Sequence, residues 1–400
     1  SGWTNGTIEA WVNSNGSNQQ HAIGGWWDGT NGFFLQGSTT GDGYAILAGG
    51  ASSYGRFDVA TTGKWNHVAF VYDGTLVGSA ARAKLYINGT ATAIAAWAGG
   101  TISATIPALT DKIMDVGRLR NIGRYWNGSI GAERIYSKSL TANEVKQNYL
   151  ADAGTYQRAN AGAVAGLIAW YRADAGTSST TEAAGVATWT DQSASVNNLS
   201  QAVGGNQPTY RANCIGGKPC LRFDGTNDYY AFGTNLDLRA AYTIIAVMRN
   251  AIRKGNNGIL RIAPDLPSIV TSDLELYWTL GSTDNKSGTM VSTTQRGGTP
   301  ATNTSTDAGA PVGGPNLHFR SVDGAGTVIQ RFNGVADGAA ANALFRPANV
   351  NPSWLGIGYA TTGYLNGDIA EVMIFNTAVS TTDRDLIEAY LASKYGIALP

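Results

Sequence analysis

One segment of this chain occurs twice, about 239 residues apart, with its internal spacing kept. The first copy reads VGRLRNIGRYWNGSIGAERIYSKSLTANEV from Val116 to Val145, and the second reads LGIGYATTGYLNGDIAEVMIFNTAVSTTDR from Leu355 to Arg384. In both, a glycine (Gly117, Gly356) precedes an Asn-Gly pair (Asn127 and Gly128, Asn366 and Gly367) at the same interval. An alternating apolar strand follows, Ile130 to Tyr136 or Ile369 to Phe375, and then a helix start at Thr141 or Ser380. A chain that repeats such a pattern is two related β domains, and its function must suit a duplicated module.

Four hundred residues allow two domains, each large enough for its own apolar core. With 28 basic and 28 acidic side chains and no block of like charge, the chain lacks the clustered cations that nucleic-acid backbones require. Its 52 glycines, sparse helix formers and many aromatics describe a turn-rich all-β protein. No apolar run approaches the ~20 residues of a membrane helix, and the start SGWTNGTIEAWV has no basic region leading into an apolar core, although a processed start would read the same. Cys214 and Cys220 flank a turn in NCIGGKPC, which leaves open a cross-strand disulfide or two free thiols.

The first domain is expected over residues 1–152, with strands at Thr7–Val12, Gly32–Gln36, Tyr44–Leu47, His67–Tyr72, Lys84–Asn88 and Ile130–Tyr136. Thr141 and Glu144 form a capping box that opens a short helix through Leu150, read as cover rather than core. Residues 153–165 read as a linker, with partial helicity left open. The second domain spans 166–400 and ends in a helix over Thr381–Tyr395 after the Ser380 cap. Ser282 to Gly314, rich in Gly, Ser, Thr, Asn and Pro, reads as a long irregular insertion. Aligning the copies sets Thr7–Trp11 on Thr243–Val247, yet about 77 residues of the second domain precede that strand and only about six precede the first. The first domain is therefore expected to be N-terminally incomplete, with an uncovered sheet edge beside Thr7–Val12.

Both copies resemble the laminin-G-like, concanavalin-A-like lectin/glucanase jelly-roll family. The first carries TIEAWV, KWNHVAFVYDG, KLYINGT and WNGSIGAERIYSKSLTANEV. The second, with GLIAWYRADAG, QPTYRA, GGKPCLRFDG and LNGDIAEVMIFNTAVS, is similar to the variant seen in bacterial surface and tailed-phage virion proteins. The resemblance implies two antiparallel β-sandwich jelly-rolls in tandem, each ending in a short helix, and it constrains function weakly because relatives bind glycans, adhere, decorate virions or cleave glycans. Relatives often hold calcium with Asp and Glu on the strand after the Asn-Gly turn. Gly131 and Ala132 stand there in the first copy, so the remaining calcium candidates are Asp224, Asp228, Asp368 and Glu371, with ordinary turn and edge carboxylates as the alternative. No other cofactor is expected.

Glycan hydrolases of this fold resemble one another in a Glu-x-Asp-x-Glu strand, whose alternate residues share one face. The nearest match here is Thr271 to Glu275, where Asp273 and Glu275 lack their first partner because Thr271 replaces it. No catalytic residue is therefore assigned, and His67 and the turn aspartates Asp73, Asp224 and Asp323 read as structural. Sugar recognition needs flat aromatic faces beside polar groups. The candidates are Trp26, Trp27, Tyr54, Trp97, Tyr125 and Trp126 in the first domain and Tyr229 and Tyr230 in the second, with the pair Tyr277 and Trp278 comparable. Any one of them is more naturally a core residue, but Trp26 and Trp27 are strand neighbours, so one of the two should leave the core. The expected function is a non-catalytic attachment or carbohydrate-binding pair of modules in a larger virion or bacterial surface protein, outside the cell, binding a cell-surface glycan. The alternatives are an assembly domain contacting neighbouring subunits, or a glycan hydrolase; neither nucleic acid nor membrane insertion is expected.

Overall fold

The computed structural model describes residues 3–16, 21–37, 44–50, 53–57, 62–93, 96–99, 101–107, 113–119, 122–250, 257–262, 276–281, 289–296, 299–304, 314–341, 350–358 and 363–400. They fall into two compact units, Ser1–Asn160 and Ala161–Pro400.

The first unit begins with β1 (Asn5–Ser14), β2 (Ala22–Trp27), β3 (Asn31–Gly37), β4 (Tyr44–Gly50), β5 (Ser53–Phe57) and β6 (Trp65–Asp73). The short helix α1 (Ser79–Arg82) leads to β7 (Ala83–Ile87), β8 (Thr90–Thr92) and β9 (Ala96–Gly99). Two-residue strands β10 (Asp115–Val116), β11 (Arg118–Leu119) and β12 (Arg124–Tyr125) precede β13 (Gly128–Tyr136) and helix α2 (Ala142–Tyr156). One sheet runs β13-β1-β6-β7-β8 and the other β10-β2-β3-β4-β5-β9, while β11 and β12 form a small hairpin. Strand alternation sends Ile8, Ala10 and Val12 of the first sheet and Phe33, Leu35 and Ile46 of the second into one shared core.

Helix α3 (Arg158–Gly162) spans the division, and the second unit opens with β14 (Leu167–Arg172), β15 (Thr188–Trp189), β16 (Leu199–Ser200), β17 (Thr209–Ile215), β18 (Lys218–Asp224) and β19 (Tyr230–Phe232). It continues through β20 (Tyr242–Asn250), β21 (Asn257–Ile262), β22 (Leu276–Gly281), β23 (Thr289–Arg296), β24 (Thr299–Thr304) and β25 (Asn316–Val322). The last elements are β26 (Thr327–Phe332), β27 (Val335–Ala341), β28 (Ser353–Leu355), β29 (Asn366–Phe375) and α4 (Thr381–Tyr395). One sheet runs β17-β18-β29-β20-β25-β26-β27, with β14 also on β29, and the other runs β15-β16-β19-β28-β21-β22-β23-β24. Tyr171, Ile244, Leu260, Leu355 and Ile369 lie in the core between them, and α4 covers the outer face through Ile387, Tyr390, Leu391 and Tyr395.

Strand order repeats between units: β13-β1-β6-β7-β8 is matched by β29-β20-β25-β26-β27. Each pair also carries the same bulge, with Ala10 opposite Glu133 and Val12 opposite Ile130 in one, and Val247 opposite Glu371 and Met248 opposite Ile369 in the other.

Three expectations need correction, and the helicity left open for residues 153–165 is resolved. The helix after Thr141 does not stop at Leu150 but runs to Tyr156, and it is a core element: Val145, Tyr149 and Ala153 are buried, and the Tyr156 ring stacks 4.8 Å from that of Trp11. Residues 153–165 are accordingly mostly helical, because α2 and α3 occupy much of the stretch. The Ser282–Gly314 stretch contains a hairpin, β23 with β24, whose Thr- and Val-bearing strands pair from Val291 with Thr304 to Arg296 with Thr299. Finally, β1 is paired on both sides, by β13 and β6; among the described residues it is β13, at the end of that sheet, whose far side has no neighbour there.

Candidate functional site

Alternation settles the tryptophan pair on β2. Trp26 is in the core at 2% exposure, and Trp27 leaves it, half-buried and edge-on to Phe34 at 6.2 Å beside Leu47 and Leu119. The β11–β12 hairpin is pinned over this face by Arg124, which donates through Nη1 to Gln36 Oε1 at 2.7 Å. Tyr125 on the same hairpin is 62% exposed, whereas Trp126 is half-buried against the core and donates from Nε1 to the Ser129 carbonyl. Tyr54 and Trp97 lie on the paired strands β5 and β9, but their side chains fall outside the described residues, as do those of Tyr277 and Trp278 on β22.

In the second unit the adjacent tyrosines part company. Tyr230 points inward, is fully buried and donates its hydroxyl to the Val186 carbonyl at 2.7 Å, so it is a core residue and not a ligand contact. Tyr229 takes the opposite face, where its ring lies 6.3 Å from that of Tyr364, both half-buried, and both pack against Trp354 and Ile357. The Arg261 guanidinium lies 5.8 Å from the centre of the Trp354 ring. Burial, and then the neighbouring Tyr229, push the Tyr364 phenol above its ordinary range, so it stays a hydroxyl donor. Two residues before Tyr229, Asn227 donates to Asn206 Oδ1 at 3.0 Å and keeps its own Oδ1 without a protein partner. Sequence reasoning missed Trp354, Tyr364 and Arg261. With Leu355 and Ile262 taken as inward, alternation alone would have turned Trp354 and Arg261 out.

The four calcium candidates do not form one donor set. Asp368 accepts from Arg222 Nε at 2.8 Å and Arg249 Nε at 2.8 Å, so two guanidiniums already neutralise it. Glu371 is fully buried and accepts from Trp170 Nε1, Tyr390 and Tyr395 hydroxyls and Lys394 Nζ at 2.6–2.9 Å. Asp224 spends Oδ1 on the Thr226 and Asn227 amides of its own turn. Asp228 accepts the Asp224 amide at 2.9 Å, and burial raises its pKa to about 6. Among the described residues, the trio of metal-type ligand atoms within 4.8 Å is Cys214, Cys220 and Asp368, and the two sulfurs are bonded to each other as a disulfide across the β17–β18 hairpin. Calcium does not fit these residues.

Other carboxylates in the first unit divide sharply. Glu9 and fully buried His67 lie side by side, Nε2 3.5 Å from Oε2, and Glu9 also accepts from Tyr136 and Asn148. Burial pushes the Glu9 carboxyl up, but His67, Asn148 and Tyr136 together outweigh it and hold it below its usual range. Asp73 caps its own turn through Thr75, as Asp323 does through Ala325 and Thr327. Glu133 has no partner among the described residues: both its oxygens are buried without a hydrogen bond, and burial raises its pKa to about 8. Thr271, Asp273 and Glu275 lie outside the described residues.

Several solved structures are similar to parts of the chain. Domain 4 of AbnA, an extracellular arabinanase of Geobacillus stearothermophilus solved with arabinotriose, superposes with a TM-score of 0.41 at 16% identity, over 56% of this chain and 98% of that one. The binding domain of Paraclostridial Mosquitocidal Protein 1 gives 0.38 at 14% identity over 57% of this chain, which spans about half (52%) of that one. The Ruminococcus gnavus IT-sialidase CBM40 bound to alpha2,3 sialyllactose gives 0.32 at 15% identity over 39% of this chain and 91% of that one. Among curated proteins none matches the sequence. The model of the concanavalin A-like lectin/glucanases superfamily matches residues 3–146. The chain is thus an antiparallel β protein whose residues 3–146 are similar to the concanavalin A-like lectin/glucanase superfamily.

Proposed function

We propose that this protein is a non-catalytic carbohydrate-binding protein whose sugar platform is the Tyr229–Tyr364 face of the second unit. The observation that carries the reading is the pairing of two half-buried tyrosines beside a buried Trp354–Arg261 stack. Flat rings that are held from behind and wet in front suit the apolar face of a pyranose, while the phenol hydroxyls suit its hydroxyl groups. On the first unit, Trp27 beside Phe34 and the separately exposed Tyr125 are further aromatic surfaces. The repeated strand order and bulge support descent of both units from one module. The disulfide supports an oxidising, extracellular setting, such as a cell surface or a virion. A non-catalytic role is supported by the carboxylates Glu9, Asp368 and Glu371, each of which is engaged by several donors and so is not held as a free acid or nucleophile.

A glycan array, run on the whole protein with and without chelator, tests this. Binding should be indifferent to the chelator and should fall at least about tenfold in Tyr229→Ala and Tyr364→Ala, the loss of one stacked ring, with circular dichroism unchanged. Absence of binding to any glycan, or release of reducing sugar from one, would overturn it.

A further inference from the structure

β13 and β29 occupy the same place in their sheets, yet they are covered very differently. β29 is paired along its outer edge by β14, from Leu167 opposite Phe375 to Arg172 opposite Glu371, and by β18, from Leu221 opposite Ile369 to Asp224 opposite Asn366. All but its first residue are buried. Among the described residues nothing pairs with the outer edge of β13, and none of its nine residues is fully buried. A strand of that length with a free edge presents a row of unpaired amides and carbonyls, which is a template for another strand.

Glu133 marks what that strand should carry. It pairs with Ala10 as Val372 pairs with Ala246, and Val372 is an inward core residue. Glu133 likewise points between the sheets, toward β2, where Gly24 leaves it room: a Cβ there would lie 1.9 Å from Oε1. Both oxygens are buried and unbonded. A buried carboxyl group without a hydrogen-bond partner is costly in either protonation state, and a strand laid on β13 would place an inward-facing side chain beside it. In the second unit that side chain is Tyr171, which sits opposite Val372.

We propose that the free edge of β13 is a docking edge that takes an antiparallel strand from a different protein, with Lys or Arg facing Glu133. Main-chain hydrogen bonds supply the affinity, and the cation satisfying Glu133 supplies the register and the selectivity. This surface is independent of the glycan platform, so either can fail alone.

The probe is a synthetic peptide with the sequence of residues 166–173 carrying Tyr171→Lys, compared with the same peptide carrying Tyr171→Val, each titrated into the 400-residue protein. Hydrogen exchange should show protection of the Gly128–Tyr136 amides by the lysine peptide, while the β29 amides, already paired, are unchanged. The lysine peptide should bind at least about tenfold tighter than the valine peptide. That preference should vanish in Glu133→Val, which copies Val372, and in the isosteric Glu133→Gln. Three results would overturn the proposal: no protection of β13 by either peptide, a lysine preference that persists in both variants, or β13 protection that rises with protein concentration without peptide, which would make a second copy the occupant.

Discussion

Glu133 and Val372 show how much one position can differ between equivalent strands. Val372 is core, whereas Glu133 brings a carboxyl whose pKa is raised from 4.5 to about 8 by burial. Between those values the unfolded chain is ionised while the folded one holds its proton, so this group's contribution falls as pH rises through the window. Glu133→Val should therefore stabilise the first unit little at pH 5 and by about 2 kcal/mol at pH 8, read as a pH-dependent gap between the melting curves of variant and parent. A gap that is constant with pH would mean the gain is packing alone. Tyr229 and Tyr230 show the limit of reading such residues from sequence. Both are Tyr, and only the side of the strand decides that one packs under Val186 and the other faces Tyr364.

Helix α2 illustrates the same limit for an element. Its start was legible, because the Thr141–Glu144 box is local: Thr141 Oγ1 accepts the Glu144 amide at 3.2 Å and Glu144 returns the bond to the Thr141 amide at 2.8 Å. Its length was not. Beyond Leu150 the sequence ADAGTY has the composition of a linker, and what keeps it helical is tertiary: Ala153 is buried and Tyr156 lies on Trp11 and Trp65. Thr141→Ala should cost the first unit about 1 kcal/mol, visible as earlier loss of the near-ultraviolet dichroism of that aromatic cluster in urea, with the second unit's transition unmoved. The β23–β24 hairpin was missed for a related reason. Thr-rich strands in a Gly- and Ser-rich stretch carry no apolar alternation, so their pairing is not written in the period.

At the scale of the molecule, each unit has its own core, so calorimetry should resolve two transitions. Reducing the Cys214–Cys220 disulfide should lower only the second, by about 2 kcal/mol given the short loop it closes; an equal shift of both would mean the units unfold as one.

By itself the sequence determined the β class, most of the long strands, both helix caps and the repeated segment, because each depends on periodicity, turn chemistry or capping within a few residues. Tertiary structure alone decided which aromatics face out, that Asp368 and Glu371 are spent on arginines, a lysine and hydroxyls rather than a metal, and that β13 lacks the outer neighbours its counterpart β29 has. Those outcomes turn on partners more than a hundred residues apart, such as Arg222 with Asp368 and Trp170 with Glu371, and no local pattern encodes which distant strand arrives alongside.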